Sequence, residues 1–175
     1  CDFTGGTKAM AAGLVAAALD LQVRDLVYVT GRRGDDKRVI SGTERVTALS
    51  PRRLQARRTL CTAVELFCEG RYDSCTQTLR PLLQASWVDV SVGDAVELLN
   101  ELAHVYGDWD RFDHSAAAER LNKVSRSTAL LGAWGLKKAV EQNKRFLHQI
   151  RSHEKYGLAR LADLWNNMER RANEG

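Results

Sequence analysis

Asp2-Phe3-Thr4-Gly5-Gly6-Thr7-Lys8-Ala9-Met10 is the stretch on which the reading of this chain turns. Two adjacent glycines let the backbone approach a bound group with no Cβ in the way. Helix-forming residues begin directly behind them, so free amides and the positive dipole end of a helix face the loop. Thr4 and Thr7 add hydroxyls, and Lys8 adds a point charge suited to phosphate. The spacing is neither Gly-x-x-x-x-Gly-Lys-Ser/Thr nor Gly-x-Gly-x-x-Gly. From spacing alone the stretch is therefore either a phosphate or nucleotide cradle or a glycine turn with a threonine N-cap.

Working outward, Cys1-Asp2-Phe3 reads as the end of a strand, and Ala9 to Leu19 as a helix. That helix is Ala-rich and almost free of charge, which predicts burial nearly all round. Asp25-Leu26-Val27-Tyr28-Val29-Thr30 is a continuous apolar run, the pattern of a central parallel strand covered on both faces. Strand, glycine turn, helix and strand make one βαβ unit, and ligands bind open α/β sheets at the carboxyl ends of such strands. Arg32, Arg33 and Lys37 follow the second strand at that same edge. Arg32 is thereby expected to reach the same anion, with an exposed hairpin as the alternative. Arg38-Val39-Ile40 and Arg45-Val46-Thr47-Ala48 read as a hairpin around Ser41-Gly42-Thr43.

Ser50-Pro51 marks a boundary, with Ser as N-cap and Pro in the first helical turn. Beyond it, everything reads helical. Stripes run through Leu54, Leu60, Val64 and Phe67, then through Cys75, Leu79, Leu82 and Leu83. A third, capped by Ser91 or Asp94, holds Val96, Leu99, Leu102, Ala103 and Tyr106, and Leu121 and Val124 make a weaker fourth. Leu136, Ala139, Val140, Leu147 and Ile150 form a fifth, and Leu158, Leu161, Leu164, Trp165 and Met168 the last. Glu69-Gly70-Arg71-Tyr72-Asp73 and Tyr106-Gly107-Asp108-Trp109-Asp110 share helix, Gly, aromatic, Asp, helix, which predicts αα-hairpins with Gly as the left-handed C′ residue. The expected division is an α/β part over 1–49 and an all-α hairpin or bundle over 50–175.

The chain has 175 residues, 26 basic against 22 acidic, for a formal charge of +4, so an anionic partner is allowed and not required. No apolar run reaches the ~18–20 residues of a membrane span. Cys61, Cys68 and Cys75 are seven apart with no Cys-x-x-Cys pair, which predicts buried, reduced thiols in a cytoplasmic protein and excludes a zinc knuckle. His104, His114, His148 and His153 have no metal-ligand spacing and read as solvated or helix-end residues. Arg52, Arg53, Arg57 and Arg58 spread around a helix rather than forming one stripe, and the four Trp suit corner and core packing. The start at Cys1, with no leader pattern, and the stop at Gly175 are read as those of an internal fragment.

Asp-Phe-Thr-Gly-Gly-Thr-Lys-Ala-Met, an Ala-rich helix and a strand ending Val-Thr-Gly together resemble the CARF domain of CRISPR-associated proteins. The resemblance covers residues 2–49 and extends more loosely through 50–175, which is similar to the helical segment between CARF and a HEPN ribonuclease domain in one subfamily. It implies the C-terminal part of a Rossmann-like sheet that senses cyclic oligoadenylate without metal or other cofactor. It also implies a homodimer, and RNA as substrate of a downstream effector. Matched by motif, the ligand contacts are Thr4, Gly5, Gly6, Thr7 and Lys8. The HEPN pattern of Arg, four to six residues, then His is missing: Arg111–His114 and Arg145–His148 enclose two residues, Arg151–His153 one and Arg145–His153 seven. No catalytic residue is therefore assigned. A helical protein-interaction scaffold and a CARF-type transcription regulator are the alternatives.

Overall fold

A computed structural model describes the chain except residues 1, 3–6, 22, 33, 36–38, 153–156 and 175. Among the described residues are α1 (Lys8–Asp20), β1 (Leu26–Thr30), β2 (Arg45–Leu49), α2 (Pro51–Cys68), α3 (Tyr72–Leu83), α4 (Val90–Asp110), α5 (His114–Val124), α6 (Thr128–Ala133), α7 (Lys137–Ser152) and α8 (Leu158–Glu174). The protein is thus mostly helical with a small two-stranded sheet. It divides into two compact units, Cys1–Thr59 and Leu60–Gly175, with the boundary inside α2. No helix among the described residues is long and apolar enough to cross a membrane.

In the first unit, Asp2 makes a single parallel bridge to Val27, with α1 lying between them in sequence. The remaining pairing differs from expectation. β2 pairs antiparallel with β1, Leu26 opposite Leu49 and Thr30 opposite Arg45, where a local hairpin with 38–40 was expected; Arg38 itself lies outside the described residues. The Ile40 amide instead donates to the Arg32 carbonyl at 2.8 Å, so the segment turns at Gly42 and delivers β2 to β1. β1 is not covered on both faces: Leu26 is buried, Val27 to Val29 are half-buried, and every residue of β2 is exposed. Among the described residues a sheet of Rossmann type is therefore not seen, and the strand pairings are one parallel bridge and one antiparallel pair. α1 likewise buries Ala18 alone, among the described residues. Ser50 precedes α2 as expected, but its hydroxyl donates to the Arg24 carbonyl at 3.5 Å and its own carbonyl accepts the first helical bonds.

The second unit is a helical bundle around one core. Leu102, Val105, Leu121, Leu131, Val140 and Leu147 lie at its centre, joining α4, α5, α6 and α7. Cys75, Leu79 and Leu82 of α3 are buried on the expected stripe, and Leu83 is exposed. On α2 the buried side chains are Pro51, Ala56 and Ala63, while Leu54 and Val64 face solvent. α4 starts at Val90, after Asp89, a turn ahead of the expected Ser91 or Asp94 cap.

The two corner motifs separate. At Gly70, φ is +76° and the helix ends there, as the left-handed C′ position requires. Gly107 lies inside α4, which continues to Asp110, and the left-handed residue is Phe112 instead (φ +62°). A Cβ on Gly107 would lie 3.5 Å from the Cβ of Tyr72. The glycine thus permits close approach of α3 to α4, and Asp113 rather than Asp110 caps α5, accepting from the Ala116 amide at 3.0 Å.

The largest difference lies in α8. Its apolar stripe was expected in the core, yet Leu158 is 84% exposed, Trp165 60%, and Leu161, Leu164 and Met168 half exposed or more. Among its described side chains, the residues it buries are Asp163 and Asn167. Polar bonds, described below, hold this helix rather than hydrophobic contact.

Cysteine burial is also uneven. Cys75 is buried and its thiol is pushed up to about 11 by desolvation, whereas Cys61 and Cys68 are exposed. At about pH 8 Cys75 keeps its proton and is both shielded and unreactive, since the thiolate is the nucleophile. Iodoacetamide on the native protein followed by peptide mass spectrometry should find Cys61 and Cys68 labelled and Cys75 spared until denaturant is added. Labelling of Cys75 at the same rate would contradict its burial.

Candidate functional site

Thr4, Gly5 and Gly6 lie outside the described residues, as do Arg33, Lys37 and His153. Thr7 is the N-cap of α1: its backbone is extended, and its Oγ1 accepts the Met10 amide at 3.3 Å. Lys8 is the first helical residue, and its side chain is exposed. The dipole end of a thirteen-residue helix and a lysine charge therefore stand together where the Gly-Gly stretch joins α1. No acidic residue occupies the first turn to oppose an anion there.

Arg32 lies in a separate feature. Its amide donates to Thr43 Oγ1 at 3.0 Å, and it lines an open hollow of about 610 Å³ together with Thr30, Gly31, Thr43, Glu44 and Arg45. Neither Thr7 nor Lys8 lines that hollow. Glu44 is committed to the turn, accepting from the Gly42 amide. The hollow is thus the lining of the β1–β2 connection, with Arg32 and Arg45 as its cations.

The second unit holds a hollow that sequence reading missed. Tyr72 of α3, Tyr106 and Trp109 of α4 and Phe146 of α7 line about 380 Å³ of space. Their rings form a row: Tyr72 and Tyr106 lie 5.9 Å apart, Tyr106 and Trp109 6.0 Å with planes within 4°, and Trp109 and Phe146 5.9 Å. The lining's polar members are Asp110, Asn143, Asp163, Asn166 and Asn167. Asn143 donates from Nδ2 to the Tyr106 hydroxyl at 2.6 Å. Burial raises the Tyr106 phenol above its usual range, although the Asn143 bond opposes this, so the ring stays neutral at physiological pH.

Asp163 closes one side. Its Oδ1 accepts from Trp109 Nε1 at 2.7 Å and its Oδ2 lies 2.9 Å from His114 Nε2. A carboxylate only accepts, so the proton of that second bond sits on His114 Nε2. His114 does start α5, as a helix-end residue, but it is buried rather than solvated. Trp109 is the corner-packing residue expected of a tryptophan here, while Trp165 is not in the core. The signal available in sequence was Asp163 and Asn167, four apart, on the polar side of an amphipathic helix.

Around the rim, Asp108 carries two arginines, Arg111 at 3.0 Å and Arg120 at 2.9 Å, and Arg111 also meets Asp73 at 3.3 Å. These bonds tie the start of α3, the end of α4 and the middle of α5 together. The remaining histidines converge on no shared site: His104 is half-buried in α4 and His148 is exposed in α7. Among the described residues no three His, Cys, Asp or Glu side chains come together as a metal site needs.

A search of curated proteins finds no match to this chain. A family model does match, the Csm6 6H domain, over residues 56–150. That span includes most of α2 and all of α3 to α6, and ends on the core residue Ile150 of α7. It covers more than half of the 175 residues, and so the chain belongs to the Csm6 6H domain family, carrying a Csm6-like CRISPR-associated helical domain.

Proposed function

We propose that this chain is part of a CRISPR antiviral-defence accessory protein of type III systems that responds to cyclic oligoadenylate. In this reading residues 1–49 are the C-terminal part of a CARF sensor. Residues 50–175 couple it to a HEPN ribonuclease effector, acting on RNA in the cytoplasm, that lies outside residues 1–175. The reading is supported above all by one juxtaposition. A Thr7-capped helix start with Lys8 beside a Gly-Gly pair precedes in sequence, with β1 and β2 between, a helical region matching the Csm6 6H domain.

The chemistry follows from that helix start. Thr4, Gly5, Gly6, Thr7 and Lys8 would hold the ligand's phosphates through amides, hydroxyls and one cation, with Arg32 as an outer contact and no metal needed. A two-fold-symmetric cyclic ligand suits a site shared by two copies, so the working unit is a homodimer. Preference of the ligand for one arrangement of the two protomers would then shift the effector toward activity.

Calorimetry on the full-length protein with cyclic tetra-adenylate and cyclic hexa-adenylate tests this. Saturable binding to one of them is expected, and Lys8→Ala should weaken it roughly tenfold, the scale of one lost charge-assisted bond. No heat and no thermal shift with either ring would sink the reading. The exposed apolar stripe of α8 favours a second reading, a helical interaction scaffold, in which Lys8→Ala leaves activity intact.

A further inference from the structure

We propose that the aromatic hollow of the helical unit is a binding site for an organic cation of the alkylammonium or guanidinium class. Four aromatic rings, Tyr72, Tyr106, Trp109 and Phe146, line it. Besides the tyrosine phenols, the ionisable groups among its described lining residues are the carboxyl groups of Asp110 and Asp163, and burial raises the Tyr106 phenol above its usual range. Among the described residues no Lys, Arg or His lines it, in a chain whose formal charge is +4. Aromatic rings attract cations through their negative faces, most strongly at Trp and within about 6 Å of the centroid. The carboxylates add charge, and the amides of Asn143, Asn166 and Asn167 add carbonyl acceptors for N–H donors.

Size and rigidity agree with that chemistry. About 380 Å³ admits a side-chain-sized cation and falls near the low end of small-molecule sites. The wall is preorganised: the Asn143 bond to the Tyr106 hydroxyl and the Asp163 bond to Trp109 fix two of the rings before any ligand arrives. Anions are disfavoured by both carboxylates, so this hollow is complementary in charge to the Lys8 helix start and takes a different ligand. The cation could be a free amine or a Lys or Arg side chain of a protein, and both present the same head group.

Agmatine, which carries an amine and a guanidinium, is the probe, with Nα-acetyl-arginine amide as the peptide-like arm. Both are titrated into the 175-residue chain at constant ionic strength, reading tryptophan fluorescence and thermal shift. Saturable binding below ~10 mM is expected, the weak-affinity range of one head group. A stronger response to agmatine assigns a free amine, and a stronger response to the arginine amide assigns a protein side chain. Asp110→Asn keeps the shape and removes a charge, and should weaken binding about tenfold. Phe146→Leu keeps apolar bulk and removes a ring, and should weaken it about threefold. Far-UV circular dichroism checks that both variants fold. No saturable response to either probe, or unchanged affinity in both folded variants, would overturn the proposal. So would adenosine binding at the same site in preference to both cations.

Discussion

Asp163→Ala should lower the unfolding free energy of the helical unit by about 3 kcal/mol, and Asp163→Asn by only about 1 kcal/mol. Asp163 is 6% exposed and serves two donors on two other helices, the half-buried Trp109 Nε1 and the buried His114 Nε2. Removing the carboxylate leaves both donors without an acceptor, at ~1–3 kcal/mol each. Asn retains one carbonyl oxygen for Trp109, and its amide can donate to His114 once that ring adopts the other tautomer. The loss is therefore mostly that of the charge-assisted part. Urea unfolding of the three proteins measures the difference. Native-state hydrogen exchange adds where it falls: α8 amides should lose protection first in the Ala variant, because α8 buries few apolar groups and is held by this carboxylate. Equal loss in the Ala and Asn variants would show that the carboxylate does not anchor the helix.

Much of the helical unit was legible in the sequence for a plain reason. Stripes such as Cys75, Leu79 and Leu82, or Val140, Leu147 and Ile150, repeat at a helical period and are buried as that period requires. Local signals also worked where they are self-sufficient: Pro51 opens α2, Gly70 ends that same helix, and Thr7 caps α1. What failed depends on partners distant in sequence. The alternation at 38–48 specifies strand character but not which strand it pairs with, and β2 pairs with β1. A buried appearance of Ala9–Leu19 depends on what covers it, and the described two-stranded sheet covers little. Gly107 looked like Gly70 because both precede an aromatic and an Asp, yet one ends a helix and the other lets two helices touch.

The site was legible to a smaller extent, and for a related reason. Thr7 and Lys8 announce themselves by spacing to a helix start, a purely local matter. The aromatic hollow is assembled from α3, α4, α7 and α8, with contributors from Tyr72 to Asn167, and no window of sequence contains it. Asp163 is intelligible only beside Trp109 and His114, which are 54 and 49 residues away.

Amphipathic period alone does not tell which side of a helix a fold buries, and α5 and α8 allow that to be measured. Leu121→Ala should cost about 3 kcal/mol, within the range for buried Leu truncations. Leu121 is fully buried where α4, α5 and α7 meet, so the void it leaves is walled by other helices and cannot collapse easily. Leu161→Ala, the same chemical change, should move stability by less than about 0.5 kcal/mol. Leu161 is 55% exposed, so its truncation opens no cavity, and Ala has a slightly better helix propensity than Leu. Propensity and period treat these two leucines alike; only burial separates them. Urea unfolding of both variants in the same chain gives the contrast directly. Should Leu161→Ala prove as costly as Leu121→Ala, the stripe of Leu158, Leu161, Trp165 and Met168 is buried in solution, and α8 must lie with that face covered. A small effect at Leu161 with a large one at Leu121 leaves α8 as a helix attached through Asp163 and Asn167, its apolar side open.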